Sequence, residues 1–339
     1  MNKNVSIARN DTTANYNGID LVKFLCAFMV FIIHIEPFQG EVSGLALYVN
    51  FGLQHYICRL AVPFFFAASG FFLFRKMPLY SLDTEAIKNY CFKILRLIGI
   101  WHVLLFAGGT VHLWYLGAMV IAIIILSLCF HYHVRFRYIC ILACLLYAIG
   151  LLGDSYYGII APLTDFTTFK YIIKGYQLAF STTRNGVFMG FPFVLLGAAF
   201  SQYKITLKPR TALMGFIVSM LCMFAEVFWL KYNDIPVDHN MYICLLPATF
   251  FLFSFACSVP LRDHAIYKHL RNVGMLIYFS HSLINWIVSL GASVIEKYCS
   301  IYIIQYHFLI TLFFTLIFAI CVEQLSCKDK FKWLKWLLS

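Results

Sequence analysis

Residues 19–34 read IDLVKFLCAFMVFIIH, an apolar run that is interrupted by Asp20 and Lys23 and that ends in His34. About twenty apolar residues cross the hydrocarbon core of a bilayer as a single helix. The run has nearly that length, and it predicts a transmembrane helix at residues 18–35. Residues 1–17 are polar and directly precede it, so we expect the helix to be an uncleaved membrane anchor.

The composition extends this prediction to the whole chain. The 339 residues are 62% hydrophobic and only 12% charged, with a mean hydropathy of +0.80. A soluble domain keeps about a quarter of its residues charged, so much of this protein's surface must face lipid. We predict an all-α polytopic integral membrane protein with about ten transmembrane helices and no separate soluble domain. The predicted spans are residues 18–35, 56–74, 97–111, 113–130, 138–152, 186–200, 211–230, 242–259, 273–292 and 301–322.

The positive charge of the chain has a topological explanation. The formal net charge is +11, but most of the 26 lysines and arginines lie in short segments on one side of the predicted membrane. Such a distribution is typical of cytoplasmic loops and not of a nucleic-acid-binding patch. It places both termini in the cytoplasm, including the tail of residues 1–17, and the longest connection, residues 153–185, outside. Residues 323–339 are predicted to form a basic amphipathic tail on the inner membrane surface.

The 12 cysteines do not indicate a metal or disulfide framework. They are scattered, mostly within apolar segments, and no pair has CxxC spacing. Cysteines in such positions are usually small core residues. We therefore expect no metal site.

Two ionisable residues of the first span lie on one helix face. Lys23 and His34 are eleven residues apart, which is close to three whole turns, or about 16 Å along the helix axis. The small Ala27 shares this stripe and leaves room for a narrow ligand. Ionisable residues within a membrane are costly and indicate functional sites. The alternative interpretation is that Lys23 and His34 only mark the two membrane interfaces.

Further polar residues are predicted at the level of His34. They are Arg59 in the second span, His112 and Trp114 at the fourth, Arg184 and Asn185 at the sixth, and Glu226 in the seventh. Charges that converge at one level of a helix bundle indicate a site. Glu36 follows His34 by two residues, but residues i and i+2 do not face each other on a helix. Only a helix break before Pro37 would let Glu36 orient His34.

The second span and the inner mouth of the third span carry weaker indications of a functional site. Ser69 and Gly70 interrupt a bulky apolar helix, which permits close helix contact or the close approach of a ligand. Lys93 and Arg96 face one way at the inner mouth of the third span. Basic side chains in this arrangement suit phosphate groups. Helix packing and the positive-inside rule are the alternative explanations.

Taken in order, these segments resemble the acyltransferase family 3 membrane proteins. IDLVKFLCAFMVFIIH is similar to the family's first span, in which a basic residue is followed by ten residues and a histidine, here Lys23 and His34. AVPFFFAASGFFLFRK resembles its second span, and FKILRLI resembles its basic-x-x-Arg motif, with Lys93 where arginine is usual. HLWYL, TRNGVFMGFPFVLLG and IYFSHSLI fit in order over the whole chain. The TRNG stretch is similar to the branch near the membrane part of serine racemases.

The resemblance implies a single transmembrane acyltransferase domain over residues 1–339. Such an enzyme takes an acyl group, usually acetyl, from cytoplasmic acetyl-CoA. It delivers the group to a hydroxyl on the outer face, most often on a sugar of a surface polysaccharide or a lipid-linked glycan. The implied setting is the plasma (inner) membrane of the cell envelope.

The residues make physical sense of this activity and define three groups of candidates. His34 serves as general base or as acylated nucleophile, and both roles stay open. Arg59 or Arg184 stabilises the oxyanion of the tetrahedral intermediate. The catalytic candidates are His34, Arg184, Arg59 and Glu36; the acyl-CoA-binding candidates are Lys23, Lys93, Arg96 and Ser69; the acceptor-binding candidates are His112, Trp114, Asn185 and His281.

Two other classes of protein share some of these features. A membrane transporter or exporter of a small polar metabolite would also carry inward-facing polar residues. However, the sequence has no inverted repeat and no paired Gly/Pro-broken helices, which transporters often contain. A structural or assembly subunit would not need His34.

The predicted topology is testable by cysteine labelling. We expect an impermeant thiol reagent to label Thr164→Cys in intact cells, because this position lies in the predicted external connection. The unmodified protein gives the background of its native cysteines. Labelling that appears only after permeabilisation would reverse the orientation of the spans.

Overall fold

The computed structural model describes residues 16–38, 43–78, 80–106, 111–166, 170–171, 174–176, 180, 182–299 and 304–338. These residues form helices joined by turns and loops and contain no β-strand. The predicted tail of residues 1–17 lies mostly outside them. The α-helices are α1 (Asn17–His34), α2 (Gly44–His55), α3 (Ala61–Phe74), α4 (Thr84–Leu104), α5 (Trp114–His131), α6 (Phe136–Leu152), α7 (Tyr157–Ile160), α8 (Phe191–Gln202), α9 (Pro209–Tyr232), α10 (Leu245–Ser258), α11 (Ile266–Cys299) and α12 (His307–Ser326). Shorter 3-10 segments are Ile57–Leu60, Val111–Leu113, Ala161–Asp165, Ile304–Tyr306 and Asp329–Leu337, and Gly186–Gly190 is a π-helical turn.

The prediction of an all-α polytopic membrane protein is confirmed. Each of the ten predicted spans overlaps a helix of the described chain; the predicted third span, residues 97–111, shares residues 97–104 with α4, and residues 107–110 and 301–303 of the third and tenth spans lie outside the described residues. Six stretches are long and apolar enough to cross a membrane: Asn17–His34, Gly44–Phe74, Trp114–His131, Pro209–Tyr232, Ile266–Tyr298 and His307–Ser326. Phe136–Leu152 and Tyr157–Leu163 meet at 80° and make a seventh if the bent pair is one span. Gly186–Gln202 and Leu245–Ser258 are shorter, and α4 is partly polar, so the total of ten spans stays a prediction.

Several helices extend beyond the apolar segments from which they were predicted. Helix α2 precedes the second span and was not predicted; it begins where the Ser43 hydroxyl accepts a hydrogen bond from the Ala46 N–H. Helix α4 begins well before residue 97 because Asp83 caps it, accepting from the Ala86 N–H at 2.9 Å. Asp83 is a favoured N-cap residue. Hydropathy therefore located the membrane-crossing part of a helix and missed its polar continuation.

Between residues 213 and 229, the exposed side chains of α9 are apolar. Most of this helix is not covered by protein, and the outward-facing residues are Leu213, Met214, Ile217, Val218, Leu221, Phe224 and Trp229. An apolar patch of this extent is unfavourable in water. Helix α9 is thus a peripheral, lipid-facing helix.

The two predicted surface segments are both partly structured. Residues 153–185 contain α7 and the 3-10 segment Ala161–Asp165. The C-terminal Asp329–Leu337 is a 3-10 helix, and it packs against α4, where Trp101 Nε1 donates to the Leu337 carbonyl at 3.3 Å. Trp333 and Trp336 are exposed, whereas Leu334 is buried. The predicted tail is therefore amphipathic and is also docked onto the helix bundle.

Helices α1 and α11 pack side by side and run in the same direction. Asp20 lies 3.6 Å from Arg271 near their beginnings, and the His34 and His281 rings stack near the end of α1. The predicted layout has seven spans between these two helices, which requires this common direction. The pairing sets the whole polar stripe of α1 against α11.

Helices α3 and α8 approach each other through glycines. A Cβ atom on Gly197 would overlap the Ala67 carbonyl oxygen, and one on Gly70 would overlap the Val194 carbonyl oxygen. Of the two explanations for Gly70, close helix packing is therefore the one that the structure supports. Small residues at such crossings let two helix backbones come into contact within a membrane.

We expect Gly197→Ala to lower the thermal unfolding temperature of the protein in detergent. The added methyl group forces α3 and α8 apart, and overpacking of this kind costs about 1–3 kcal/mol. Gly99→Ala is the matched control, because a Cβ atom added to Gly99 would have no other described atom within 4 Å outside its own helical turn. Equal unfolding temperatures for the two variants would contradict the close crossing.

Candidate active site

Three histidines meet where α1 ends. The His34 ring stacks on His281 at 5.2 Å between centroids and lies 6.0 Å from His112, while His112 and His281 are 4.7 Å apart. His112 and His281 are buried, whereas His34 is exposed. The cluster therefore presents one accessible imidazole that is backed by two buried ones.

Hydrogen bonds orient the two buried rings. His281 Nδ1 lies 3.1 Å from the Ile277 carbonyl oxygen, which can only accept, so this nitrogen carries a proton and Nε2 keeps a lone pair. His112 Nδ1 lies 3.0 Å from Ser282 Oγ. The Nε2 atoms of His112 and His281 are buried and have no hydrogen-bond partner among the described residues. His112 lines a small cavity together with His34, so a ligand in that cavity meets a ring whose orientation is fixed.

Two arginines face the same small cavity as His34. Arg59 and Arg184 both donate to the Asn240 side-chain oxygen, and the Arg184 guanidinium lies 5.2 Å from the Trp114 ring centroid. The Nε atoms of both arginines are buried without a partner in the part of the chain that the structure describes. Fixed guanidinium groups are strong donors to carbonyl and anionic oxygens. The arrangement can stabilise negative charge beside His34.

A buried carboxylate holds this arginine pair in place through Asn240. Asp154 accepts from the Asn240 side-chain amide at 3.0 Å and from the Asn240 and Met241 backbone N–H groups at 2.8 and 3.0 Å. Ser155 Oγ donates to the same carboxylate at 2.9 Å. Asp154 therefore fixes the rotamer of Asn240, which in turn points its oxygen at both guanidinium groups.

The cavity between these groups is small and largely apolar. Its volume is about 40 Å³, which is room for only a few water molecules. It is lined by Val30, Ile33, His34, Cys58, Arg59, Val62, His112, Trp114, Tyr115, Arg184, Met189, Asn240 and Tyr278. We call it the histidine cavity.

A much larger cavity surrounds Lys23 at the other end of α1. Its volume is about 760 Å³, and α4, α11, α12 and the C-terminal 3-10 helix form its walls. Its basic lining residues are Lys23, Lys93, Lys268, Arg271 and Lys335. Glu323 is the one carboxylate in the described lining. We call it the cationic chamber; its charge suits a large anionic ligand.

Two tyrosines connect the cavities. Tyr115 and Tyr278 line both the histidine cavity and the cationic chamber. The Tyr278 hydroxyl donates to the His112 carbonyl at 2.7 Å, so its ring is held in place. The two cavities thus lie end to end along α1, separated by one layer of side chains.

The structure brings many of the candidate residues together. His34, Arg59, His112, Trp114 and Arg184 line the histidine cavity, and His281 packs against it. Lys23, Ser69 and Lys93 line the cationic chamber. The sequence-based grouping into an outer and an inner set thus corresponds to two separate cavities.

Four other predicted residues lie outside these cavities. Glu36 is exposed and lines neither cavity. Arg96 sits beside the Trp336 ring at 6.0 Å. The Asn185 side chain caps the π-helical turn by accepting from two backbone N–H groups at 2.8 and 3.1 Å. Glu226 accepts from the Ile243 and Cys244 backbone N–H groups before α10, which is a structural role.

Several residues that line or support the two cavities were missed from the sequence. Asn240 and Asp154 lie in loops, and only their contacts in the fold connect them to the arginines. Arg271 and Lys335 were counted only as topology signals, although both line the cationic chamber. Among the described residues, no three His, Cys, Asp or Glu side chains are arranged to hold a metal ion.

The fold and the two cavities define a polytopic helical membrane protein with a histidine site joined to a cationic chamber. Residues 16–111 match the model of acyltransferase family 3, described as an acyltransferase domain. This match confirms, over residues 16–111, the resemblance to acyltransferase family 3 that the sequence predicts. The segment includes Lys23, His34, Arg59 and Lys93.

Curated relatives align over most of the chain. An amino-acid racemase of Enterococcus faecalis is 31% identical over 269 residues, which cover 71% of this chain and 35% of the relative. A second amino-acid racemase of the same organism is 28% identical over 80% of this chain and 41% of its own length. A serine/alanine racemase of Enterococcus gallinarum is 26% identical over 78% of this chain and 40% of its own length. The chain thus spans well under half the length of these relatives, and no solved structure matches it.

Proposed function

We propose that the protein is a transmembrane O-acyltransferase. It takes an acyl group, acetyl in the first instance, from acyl-CoA bound in the cationic chamber and transfers it to an acceptor hydroxyl at the histidine cavity. The observation that carries this proposal is the end-to-end arrangement of the two cavities along α1, with Lys23 in one and His34 in the other. A donor with a phosphate-rich head and a long thin arm matches this arrangement.

The chemistry at the histidine cavity is an acyl transfer with His34 as general base. The imidazole takes the proton of the acceptor hydroxyl while the oxygen attacks the thioester carbonyl. Arg59 and Arg184 stabilise the oxyanion that forms on the carbonyl oxygen. The C–S bond then breaks, and the proton passes from His34 to the departing CoA thiolate. The products are the acylated acceptor and free CoA.

The orientation in the membrane is part of the proposal. Acyl-CoA is a cytoplasmic metabolite, so the cationic chamber opens to the cytoplasm and the histidine cavity lies at the outer face of the plasma membrane. The basic residues around the chamber also favour this orientation by the positive-inside rule. Both termini are then cytoplasmic, and the acceptor is an extracytoplasmic sugar of a surface polysaccharide or lipid-linked glycan.

Serine is a second acceptor to assay. The relatives are named as racemases of amino acids, one of them of serine and alanine. Serine has the hydroxyl that the proposed reaction needs. A transfer product on serine instead of a glycan would change the acceptor class and leave the donor half of the proposal intact.

Inverted vesicles supplied with radiolabelled acetyl-CoA test the proposal as a whole. An acyltransferase leaves the label covalently attached to an acceptor, and free CoA appears in equal amount. A transporter that accumulates labelled solute without forming a covalent product would refute acyl transfer. Vesicles without the protein provide the baseline.

We expect His34→Ala to reduce acetyl transfer by a factor of about 10² or more, the usual contribution of a general base. Binding of acetyl-CoA should be unchanged, because His34 lies about 16 Å along α1 from Lys23. Transfer rate and donor affinity are measured on the same vesicles. His131→Ala, at an exposed histidine outside both cavities, is the control. Normal turnover in His34→Ala with inactive His112→Ala or His281→Ala would move the base to another ring of the cluster.

We expect Lys93→Ala to weaken CoA binding by about tenfold, because a hydrogen bond to a charged group contributes about 1.5 kcal/mol or more. Arg96→Ala should have a smaller effect, since Arg96 is directed to Trp336 and does not line the chamber. The measurement is the Kd for CoA in detergent-purified protein. An equal loss in both variants would favour general surface charge over a specific phosphate contact.

A further inference from the structure

A single carboxylate stands in the described wall of the otherwise basic chamber. Glu323 on α12 is buried, with 4% of its surface exposed. Its Oε1 atom lies 2.7 Å from His269 Nδ1 and 3.5 Å from the Asn272 amide nitrogen. Its Oε2 atom makes no hydrogen bond with any described residue. Glu323 lines the chamber, and the unpaired oxygen of its fixed carboxylate can accept a hydrogen bond from an N–H or O–H group of a ligand.

The position of Glu323 along the chamber follows from its partners on α11. His269 pairs with Glu323, Arg271 pairs with Asp20, and His281 stacks on His34. Twelve residues separate His269 from His281, which is about 18 Å along the helix axis. Glu323 therefore lies at the far end of the chamber from the histidines, beyond the level of Arg271 and Lys23.

The same order of groups exists in an extended acyl-CoA. Its thioester is at one end, the pantetheine arm with its two amides follows, then the diphosphate, and the adenine with its exocyclic amine is at the other end. With the thioester at His34, the pantetheine amides lie closest to the histidines and the diphosphate lies near Lys23 and Arg271. Beyond the diphosphate, the donors that remain for Glu323 are the ribose 2′-hydroxyl and the exocyclic amine of adenine, and the amine is the one farther from the thioester.

We propose that Glu323 is a specificity-determining residue that accepts a hydrogen bond from the exocyclic amine of the adenine of CoA. This inference rests on the proposed acyl-CoA donor and adds the nucleobase to it. His269 and Asn272 fix the carboxylate by binding Oε1, so that Oε2 is presented to the base. A base that carries a carbonyl oxygen in place of this amine sets one acceptor against another at this point and loses the hydrogen bond.

The test compares the Kd values of CoA and its hypoxanthine analogue, in which a carbonyl oxygen replaces the adenine amine. The unmodified protein should bind CoA about tenfold more tightly, because a site built for a hydrogen bond rejects an analogue that leaves its polar group unpaired. Glu323→Gln should abolish this preference or reverse it, since the glutamine amide can donate to the hypoxanthine oxygen. Glu296→Gln, at a carboxylate outside both cavities near the other end of α11, should keep the preference.

The outcomes separate the two proposals. Equal Kd values for CoA and the hypoxanthine analogue in the unmodified protein, or an unchanged ratio in Glu323→Gln, would overturn the role of Glu323 and leave the acyl-CoA donor in place. If Glu323→Gln instead weakens binding of 4′-phosphopantetheine, which lacks the nucleotide, the carboxylate binds a pantetheine amide and the adenine assignment is wrong. Failure of the unmodified protein to bind CoA at all would overturn the proposed function itself.

Discussion

The pairing of α1 with α11 is the contact on which the site depends. A charged or polar side chain in hydrocarbon is costly, so the stripe from Asp20 to His34 must face protein. Helix α11 supplies the matching groups, with Arg271 opposite Asp20 and His281 opposite His34. Between these ends a Cβ atom on Gly274 would lie only 3.2 Å from the Phe24 Cα atom, so the two backbones approach closely. The two cavities lie along this pair of helices, and a shift of one helix along the other would separate the histidines and the chamber walls together.

The arginines of the histidine cavity need a different kind of support, because burying a guanidinium is costly unless hydrogen bonds hold it. Asn240 accepts from both Arg59 and Arg184, and Asp154 holds Asn240 through its side chain and backbone. Asp154 is linked to the two arginines through Asn240 and forms no direct hydrogen bond with either of them among the described contacts. A direct ion pair would occupy the donors, whereas a neutral amide leaves the two Nε atoms for a substrate oxygen. The network therefore provides positive charge without neutralising it.

The sequence predicted the helices and many of the polar residues of the histidine cavity and the cationic chamber, because both follow from local chemistry. Apolar length locates a span, and the eleven-residue spacing of Lys23 and His34 fixes their common face. Asn240 and Asp154 escaped prediction because they lie in loops more than eighty residues apart, and nothing local connects them to Arg59. Arg271 escaped for another reason: at the end of a span, a basic residue that lines a cavity has the same sequence signature as one that only sets topology. Asn185 was predicted to bind the acceptor, but its side chain caps the π-helical turn, and a cap cannot be told from a binding residue by sequence alone.

The difference in size between the cavities bears on how an acyltransferase avoids hydrolysing its donor. A thioester at His34 competes for attack between the acceptor hydroxyl and water. The histidine cavity has about 40 Å³ of space, and Val30, Ile33 and Val62 form much of its wall. Few waters fit there, and those that do find few polar partners beyond the catalytic groups. The cationic chamber, with a volume of about 760 Å³, has room for a hydrated phosphate head. On the proposed function, Tyr115 and Tyr278 divide a spacious donor-binding region from a narrow reaction region, and the acyl group passes them to reach His34.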